Sequence, residues 1–191
     1  MEQFIRNHVA DFSDALTQTV ATVDGKNLPL HEGLRKATQM IAEIGAAGKT
    51  LYFIGNGGSA SITSHMSVDF WKTAGIKALA FTDPSLLTCI SNDCGYSQVF
   101  QKPIEMFMNS GDILIAISSS GNSENILNGV RAARKKGAAV ITMSGFLRDN
   151  QLSTMGDVNF YVPRSHYGIV EVNHTLLCHC LLDTIMGAPR G

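Results

Sequence analysis

LYFIGNGGS at residues 51–59 and ILIAISSSGNS at residues 113–123 decide the fold of this chain of 191 residues. In each stretch an apolar run, of the kind that forms a buried strand, passes directly into a turn of Gly, Ser and Asn, and a helical pattern follows. Such a turn collects backbone N–H groups, hydroxyls and the positive end of a helix dipole, which together suit a phosphate group. The two turns therefore predict a phosphorylated small-molecule ligand.

Apolar runs alternate with helical patterns on both sides of these two stretches. Strands are predicted at 51–54, 77–81, 113–117, 139–143 and 157–162, and helices at 60–72, 84–91, 97–108, 123–136, 148–154 and 168–186. Continuously apolar strands are typical of a parallel sheet that helices cover on both faces. The pattern predicts an α/β fold, a three-layer sandwich around a five-stranded parallel sheet. A ligand is expected at the carboxyl ends of the strands, where both turns lie.

Residues 1–48 precede this alternation. Apolar positions at helical spacing predict one helix over residues 3–24 and a second over about residues 31–47. No linker divides the chain, so residues 1–191 are expected to form a single domain with 1–48 as an N-terminal helical extension. Only 16% of the residues are charged, which favours self-association. We expect the extension to pack against another subunit.

The composition excludes several classes of function. The net charge is −1 and the charged fraction is low, so no broad basic surface for nucleic acid is expected. No apolar run approaches the ~18–20 residues that cross a membrane, and the N-terminal residues do not resemble a signal peptide. The four cysteines lack zinc-binding spacing. They are expected to be reduced thiols in a cytoplasmic protein.

Ionisable side chains on two predicted helices could act together. His65 and Asp69 are neighbours at i and i+4 on the helix after the first turn, and Glu171, His174 and His179 lie on the final helix. Two imidazoles and two carboxylates could bind a divalent metal such as zinc, or act as acid and base. A His–Asp pair is also a common local interaction on a helix surface, so the spacing alone leaves both interpretations open.

A third polar segment, SNDCGY at residues 91–96, follows an apolar stretch. In one interpretation Asp93 lines the same cleft and binds ligand hydroxyl groups. In the other, the segment is an ordinary loop that turns at Gly95. The residues by themselves favour neither.

In their order and spacing, these segments resemble the SIS (sugar isomerase) domain, and most of all the phosphoheptose isomerases. The resemblance rests on residues 55–59, 91–93 and 118–123 and on the final helix, and it covers nearly the whole chain, the first 48 residues included. It implies a flavodoxin-like fold and a homotetramer with active sites at subunit interfaces. It also implies an aldose–ketose isomerase, converting sedoheptulose 7-phosphate to glycero-manno-heptose 7-phosphate or acting on a closely related ketose phosphate in surface-heptose biosynthesis.

The resemblance also implies roles for individual residues. A divalent metal, usually zinc in the family, would bind at His65, Asp69, Glu171 and His179. Asp69 would be the base, with His179 as its acid partner. Substrate contacts are implied at nine positions: Asn56, Gly57, Ser59, Asp93, Ser118, Ser119, Ser120, Ser123 and Glu171.

The chain departs from the family pattern near the reacting carbons of the substrate. Asp69 stands where the family has Glu, and Glu171 stands where it has Gln. The shorter Asp side chain displaces a proton-transfer atom by more than ~1 Å, which is costly. A carboxylate that holds a metal tightly is also a poorer base, so two roles compete for Asp69. Thr73 and Gly168 replace a basic residue and an Asp of the family.

Some SIS proteins of this size are not enzymes, and bind a sugar phosphate or dock a protein partner such as a replication initiator. Those relatives tend to lose the metal-binding and acid–base residues. This chain keeps His65, His179 and a carboxylate at position 69. Their presence favours an enzyme.

Overall fold

A computed structural model describes residues 1–187. Seven helices and seven strands alternate along most of the chain, and two short 3₁₀ helices lie at Tyr96–Gln98 and Gln151–Thr154. In chain order the elements are α1 (Glu2–Thr17), β1 (Val20–Val23), β2 (Lys26–Leu28), α2 (Leu30–Ala46), β3 (Leu51–Gly55), α3 (Gly58–Thr73), β4 (Ala78–Ala80), α4 (Pro84–Cys94), α5 (Gln101–Phe107), β5 (Ile113–Ser118), α6 (Glu124–Lys135), β6 (Ala139–Ser144), β7 (Val158–Tyr161) and α7 (Tyr167–Ile185).

The strands form one sheet in the order β2-β1-β7-β6-β5-β3-β4. Strands β3 to β7 are parallel to one another, which confirms the predicted α/β class and the five parallel strands. Counted among themselves, these five strands have the order 2-1-3-4-5 of flavodoxin-like folds. The order reverses between β3 and β5, the two strands that carry the Gly and Ser turns.

The sheet has seven strands, not five, because a hairpin replaces the end of the first predicted helix. The helix prediction over residues 3–24 is wrong beyond Thr17: β1 and β2 pair antiparallel with each other, and β1 pairs antiparallel with β7. Val20 and Val23 fit a helical period, but as β-branched residues they also favour a strand. Ala21 is fully buried against Gly33 of α2, where a β-carbon would collide with the methyl group of Ala21.

Alternate residues of the central strands face two hydrophobic cores. In β5, Ile113, Ile115 and Ile117 join the core beneath α2, α3 and α7, whereas Leu114 and Ala116 join the core beneath α5 and α6. Each fully buried Ile or Leu side chain contributes about 1.5–3 kcal/mol. The continuous apolar runs of the sequence therefore reflect strands that are buried on both faces.

Residues 1–48 share the core of the domain. Helices α1 and α2 pack on α7, and Ala15, Ala37 and Ile41 belong to the same core as the buried residues of α7. The outward face of α1 keeps Phe4 and Val9 exposed. Within residues 1–187, no helix has the length and apolar character to cross a membrane.

Candidate functional site

A pocket of about 210 Å³ opens between the turns that follow β3 and β5. The two strands are hydrogen bonded neighbours, with Gly55 paired to Ile117 at their carboxyl ends. This is the point where the strand order reverses, which is where open α/β sheets bind their ligands. The pocket is lined by Asn56, Gly57, Gly58, Ser59, Ser118, Ser119, Ser120, Ser123, Tyr167 and Glu171.

The first turn depends on glycine at two positions. Gly57 has a φ of +54° and directly precedes α3, a conformation that other residues rarely adopt. At Gly55, a β-carbon would lie 2.7 Å from the backbone of Ser59. The chain can therefore pass from the strand into the helix within two residues, which brings the first N–H groups of α3 to the pocket.

The second turn supplies hydroxyls to the same pocket. Ser118 ends β5, and Ser123 directly precedes α6. Gly121, at a φ of +65°, donates its N–H to the carbonyl oxygen and to Oγ of Ser118. Ser119 is buried, and its hydroxyl has no hydrogen bond partner within residues 1–187. A buried hydroxyl without a partner is unusual, and a phosphate oxygen in the pocket would supply an acceptor.

Two residues outside the predicted site hold the first turn in place. Asn125, in the first turn of α6, exchanges side-chain hydrogen bonds with Asn56, and the Tyr96 hydroxyl donates to Asn56 Oδ1 at 3.1 Å. The sequence reasoning missed Asn125 and Tyr96, and also Tyr167, the first residue of α7. Of these three residues, the sequence pointed only to Asn125, which lies two residues after the end of the serine turn.

Glu171 reaches the pocket from α7. Its carboxylate lies directly against Gly58, so a β-carbon at that position would collide with it. No described residue donates a hydrogen bond to this carboxylate. Gly58 is the first residue of α3, and the N-terminal end of a helix favours a negative charge. The backbone of α3 and the absence of a side chain at residue 58 together determine where Glu171 lies.

His65, Asp69 and His179 form a separate cluster between α3 and α7. Each offers a ligand atom, and these atoms lie within 4.8 Å of one another. His65 Nε2 is 3.2 Å from Asp69 Oδ2, and the His65 and His179 rings are 5.8 Å apart between centroids. Catalytic zinc sites commonly combine three His and carboxylate ligands with an open fourth position. This donor set therefore fits a zinc ion.

Glu171 lies in the pocket but outside the metal cluster predicted for it, and Asp93 lies outside the pocket. The structure does not bring Glu171 into the His65–Asp69–His179 cluster, nor Asp93 into the pocket between the turns. Asp93 is exposed in the last turn of α4, where its carboxylate accepts hydrogen bonds from Asn92 and Cys89. The predicted turn begins only at Gly95, which has a φ of +89°.

His174 is a core residue and takes no part in either site. It is fully buried, with Nε2 3.2 Å from the Ser144 carbonyl oxygen. Burial lowers its pKa to about 4, although the hydrogen bond to Ser144 acts in the opposite direction. The imidazole is therefore neutral at physiological pH, and its neutral Nε2–H donates to Ser144.

The SIS domain family model matches residues 11–145 of the chain. The chain belongs to the SIS domain family. This SIS-domain chain is 34% identical over 182 residues to the phosphoheptose isomerase of Shewanella denitrificans, a match that covers 90% of this chain and 92% of the relative. It is 32% identical over 193 residues to the phosphoheptose isomerase of Proteus mirabilis, covering 96% of each. The predicted resemblance is confirmed.

Solved structures of the family show the same fold. The phosphoheptose isomerase of Neisseria gonorrhoeae superimposes on this SIS domain with a TM-score of 0.84 and 31% sequence identity, covering 96% of this chain and 98% of that chain. The enzyme from Francisella tularensis gives a TM-score of 0.84 at 26% identity, covering 98% and 96%. Because each match covers at least 96% of this chain, it includes most of the N-terminal helical region and the hairpin.

Proposed function

We propose that this phosphosugar isomerase converts sedoheptulose 7-phosphate, or a closely related ketose phosphate, to the aldose phosphate through an enediol. The observation that carries the proposal is the pocket between the turns, where serine hydroxyls and two helix N-termini meet a carboxylate. The match to phosphoheptose isomerases over at least nine-tenths of the chain supports the choice of substrate.

The substrate phosphate is assigned to the turn after β5. The hydroxyls of Ser118, Ser119, Ser120 and Ser123 surround one side of the pocket, and α6 begins directly behind them. Hydroxyl donors and a helix N-terminus stabilise the phosphate charge without any basic side chain. Asn56, Gly57 and Ser59 line the opposite side, where they would contact the sugar.

Isomerisation needs a base close to both reacting carbons and an acid for the oxygens. The family pattern assigns these roles to Asp69 and His179, and the same two residues lie with His65 in the cluster that fits zinc. A divalent ion, zinc in this proposal, would polarise substrate oxygens and stabilise developing negative charge there. Asp69 cannot bind the ion tightly and remain a strong base, because both roles use the same lone pairs.

We also propose that the active protein is a homotetramer with its sites at subunit interfaces. Exposed apolar side chains support self-association, because such patches mark contact surfaces. They lie on the helices that carry the His65–Asp69–His179 cluster and on α1, and include Val68 and Trp71 of α3, Val172 and Leu176 of α7, and Phe4, Ile5 and Val9 of α1. Sedimentation equilibrium should give four times the 20.6 kDa chain mass. A monomer would contradict this assembly.

The proposed location is the cytoplasm, where thiols stay reduced. Cys89 and Cys94 are free and exposed, a state that an oxidising compartment would not preserve. Localisation of a tagged full-length chain by fractionation would test this part of the proposal.

The function is tested by incubating zinc-supplemented protein with sedoheptulose 7-phosphate in deuterated water and following the sugar by NMR. Aldose phosphate with deuterium at C2 is expected. Ser119→Ala should raise KM more than it lowers kcat, because in this proposal the hydroxyl would contact only the phosphate. Binding of the sugar phosphate without conversion or exchange would contradict an isomerase acting on this sugar and favour a non-catalytic sugar-phosphate-binding protein.

A further inference from the structure

We infer that the Tyr167 hydroxyl binds the phosphate group of the substrate, and that Phe146 positions the Tyr167 ring for this contact. The inference rests on the proposed function, because it adds a phosphate contact to the same pocket. Tyr167 thereby becomes a binding residue, and Phe146 a positioning residue that does not touch the substrate.

The first argument is the place of Tyr167 in the pocket. Tyr167 is the first residue of α7, and it lines the pocket together with the serine turn, residues 118–123. Only Tyr167 and Glu171 reach the lining from outside the two turns, and no lysine or arginine of the described residues 1–187 lines it. The Glu171 carboxylate is an acceptor, whereas a phenol can donate. Tyr167 is therefore the lining side chain beyond the turns that can donate a hydrogen bond to an anion.

The second argument is that the Tyr167 hydroxyl is free. The chain has four tyrosines, and the hydroxyls of the other three donate to acceptors of the chain. Tyr52 and Tyr161 donate to backbone carbonyl oxygens, and Tyr96 donates to a side-chain amide oxygen. Tyr167 is 62% exposed, and its hydroxyl has no hydrogen bond partner among residues 1–187. The phenol is thus available to an acceptor that enters the pocket.

The third argument is the contact that orients the Tyr167 ring. The rings of Tyr167 and Phe146 form an edge-to-face pair, with centroids 4.8 Å apart and planes at 76°. Phe146 has a φ of +58°, a costly conformation for a bulky residue. Its N–H donates to the Arg164 carbonyl oxygen at 2.8 Å, and its carbonyl oxygen accepts from the Tyr161 hydroxyl at 2.9 Å. These two hydrogen bonds hold the strained residue in the position from which its ring meets Tyr167.

The fourth argument places this ring pair on the serine side of the pocket. Phe146 directly follows Gly145, whose N–H donates to the Ser119 carbonyl oxygen at 3.0 Å. The segment that carries Phe146 therefore packs on the serine turn. Ser119 is also the residue whose buried hydroxyl has no partner within residues 1–187. A phosphate group has several oxygens, so it can accept hydrogen bonds from both the Ser119 hydroxyl and the Tyr167 phenol.

All of these contacts lie within one chain. The tetramer proposed above would bring residues of a partner subunit to the site, but it would not remove the Phe146–Tyr167 pair or the hydrogen bond between Gly145 and Ser119. A partner could nevertheless cover the exposed phenol. The test therefore measures the assembly of each variant by sedimentation equilibrium as well as its binding.

The test compares wild type and Tyr167→Phe by calorimetric titration with sedoheptulose 7-phosphate and with inorganic phosphate. Tyr167→Phe keeps the ring and removes only the donor. It should weaken the binding of both ligands by the same factor, about tenfold, because a hydrogen bond to a charged group is lost from the part that the two ligands share. KM for the ketose phosphate should rise by a similar factor, with kcat close to the wild-type value.

Phe146→Ala tests the positioning role. It should weaken phosphate binding in the wild-type background and have no further effect in Tyr167→Ala, because the ring that Phe146 orients is then absent. Leu147→Ala is the matched control at an exposed neighbouring residue, and it should bind both ligands like the wild type. Equal losses from Phe146→Ala in the two backgrounds would overturn the positioning role.

Wild-type affinity for inorganic phosphate in Tyr167→Phe would overturn the phosphate contact, whatever happens to the ketose phosphate. Weaker binding together with a changed assembly in Tyr167→Phe would also overturn it, because the residue would then act through a subunit interface. Binding of the ketose phosphate without conversion would overturn the isomerase function alone, since the Tyr167 assignment is judged by binding. A wild-type protein that binds neither ligand would overturn both.

Discussion

The carboxamides of Asn56 and Asn125, 69 residues apart in the chain, hydrogen bond to each other in both directions, at 2.9 and 2.8 Å. Asn56 belongs to the turn after β3, and Asn125 to the first turn of α6. The pair therefore joins the two turns that enclose the pocket. The spacing of the hydroxyls and N–H groups around the pocket depends on this link.

Replacing Asn125 with Ala should weaken both the fold and the site. Asn125 is only 3% exposed, and its removal leaves the buried polar groups of Asn56 without these partners, at a cost of about 1–3 kcal/mol. Urea denaturation should show that loss, and KM for the sugar phosphate should rise. The exposed Asn92→Ala serves as the control and should change the free energy of unfolding by less than about 0.5 kcal/mol. Equal effects of the two variants would contradict the proposed link.

A methyl group at Gly58 should damage the site through Glu171. Gly58→Ala places a β-carbon against the Glu171 carboxylate, so it should lower both stability and activity. Gly168→Ala is the matched control, because no atom lies within 4 Å of a β-carbon there and Ala favours a helix by about 1 kcal/mol over Gly. The double variant Gly58→Ala/Glu171→Ala should recover stability. Additive losses of unfolding free energy would show that the two residues do not interact.

The stability of the protein should fall in mild acid because of His174. Burial lowers the pKa of His174 to about 4, whereas an unfolded histidine has a pKa of about 6.5. Between these pH values the unfolded chain binds more protons than the folded protein. The contribution of His174 to the free energy of unfolding is therefore fully present above about pH 6.5 and is lost as the pH falls towards about 4. Its full size is about 3 kcal/mol.

This pH dependence is measured by denaturant unfolding of the wild type and His174→Gln across that range. The difference in free energy of unfolding between wild type and His174→Gln should shrink as the pH falls. His31→Gln, at an exposed histidine on α2, should follow the wild type. A constant difference between wild type and His174→Gln would contradict the neutral buried imidazole.

The four cysteines should react with thiol reagents at different rates. Burial raises the pKa of Cys178 to about 12, so this thiol should react only on unfolding, because the thiolate is the nucleophile. Cys89 is exposed, but its hydrogen bond to Asp93 raises the pKa of the thiol. Asp93→Asn should therefore accelerate labelling of Cys89 and leave Cys94 unaffected, as followed by peptide mass spectrometry. Labelling of native Cys178 as fast as Cys94 would contradict this order.

The sheet and the two Gly and Ser turns could be predicted because their causes are local. Strands buried on both faces require continuous apolar runs, and a tight turn into a helix requires glycine and small polar residues, so both leave patterns over six to eleven neighbouring residues. Prediction from local patterns failed at Val20–Val23, because two valines three residues apart suit a helix as well as a strand. Pairing with β7 decided the outcome, and that strand lies more than 130 residues later in the chain.

By itself, the sequence determined the α/β class, the family and the two turns, because these depend on patterns that neighbouring residues share. Only the tertiary structure decided which ionisable side chains meet. In the sequence, Glu171 and His179 are two ionisable residues on the same predicted helix. In the structure, Glu171 packs against Gly58 at the pocket between the turns, whereas His179 lies beside His65 of α3. His174, on the same helix, is buried as a neutral core residue. The sequence specifies which ionisable side chains are present, but the environment of each one is formed by elements that are distant in the chain.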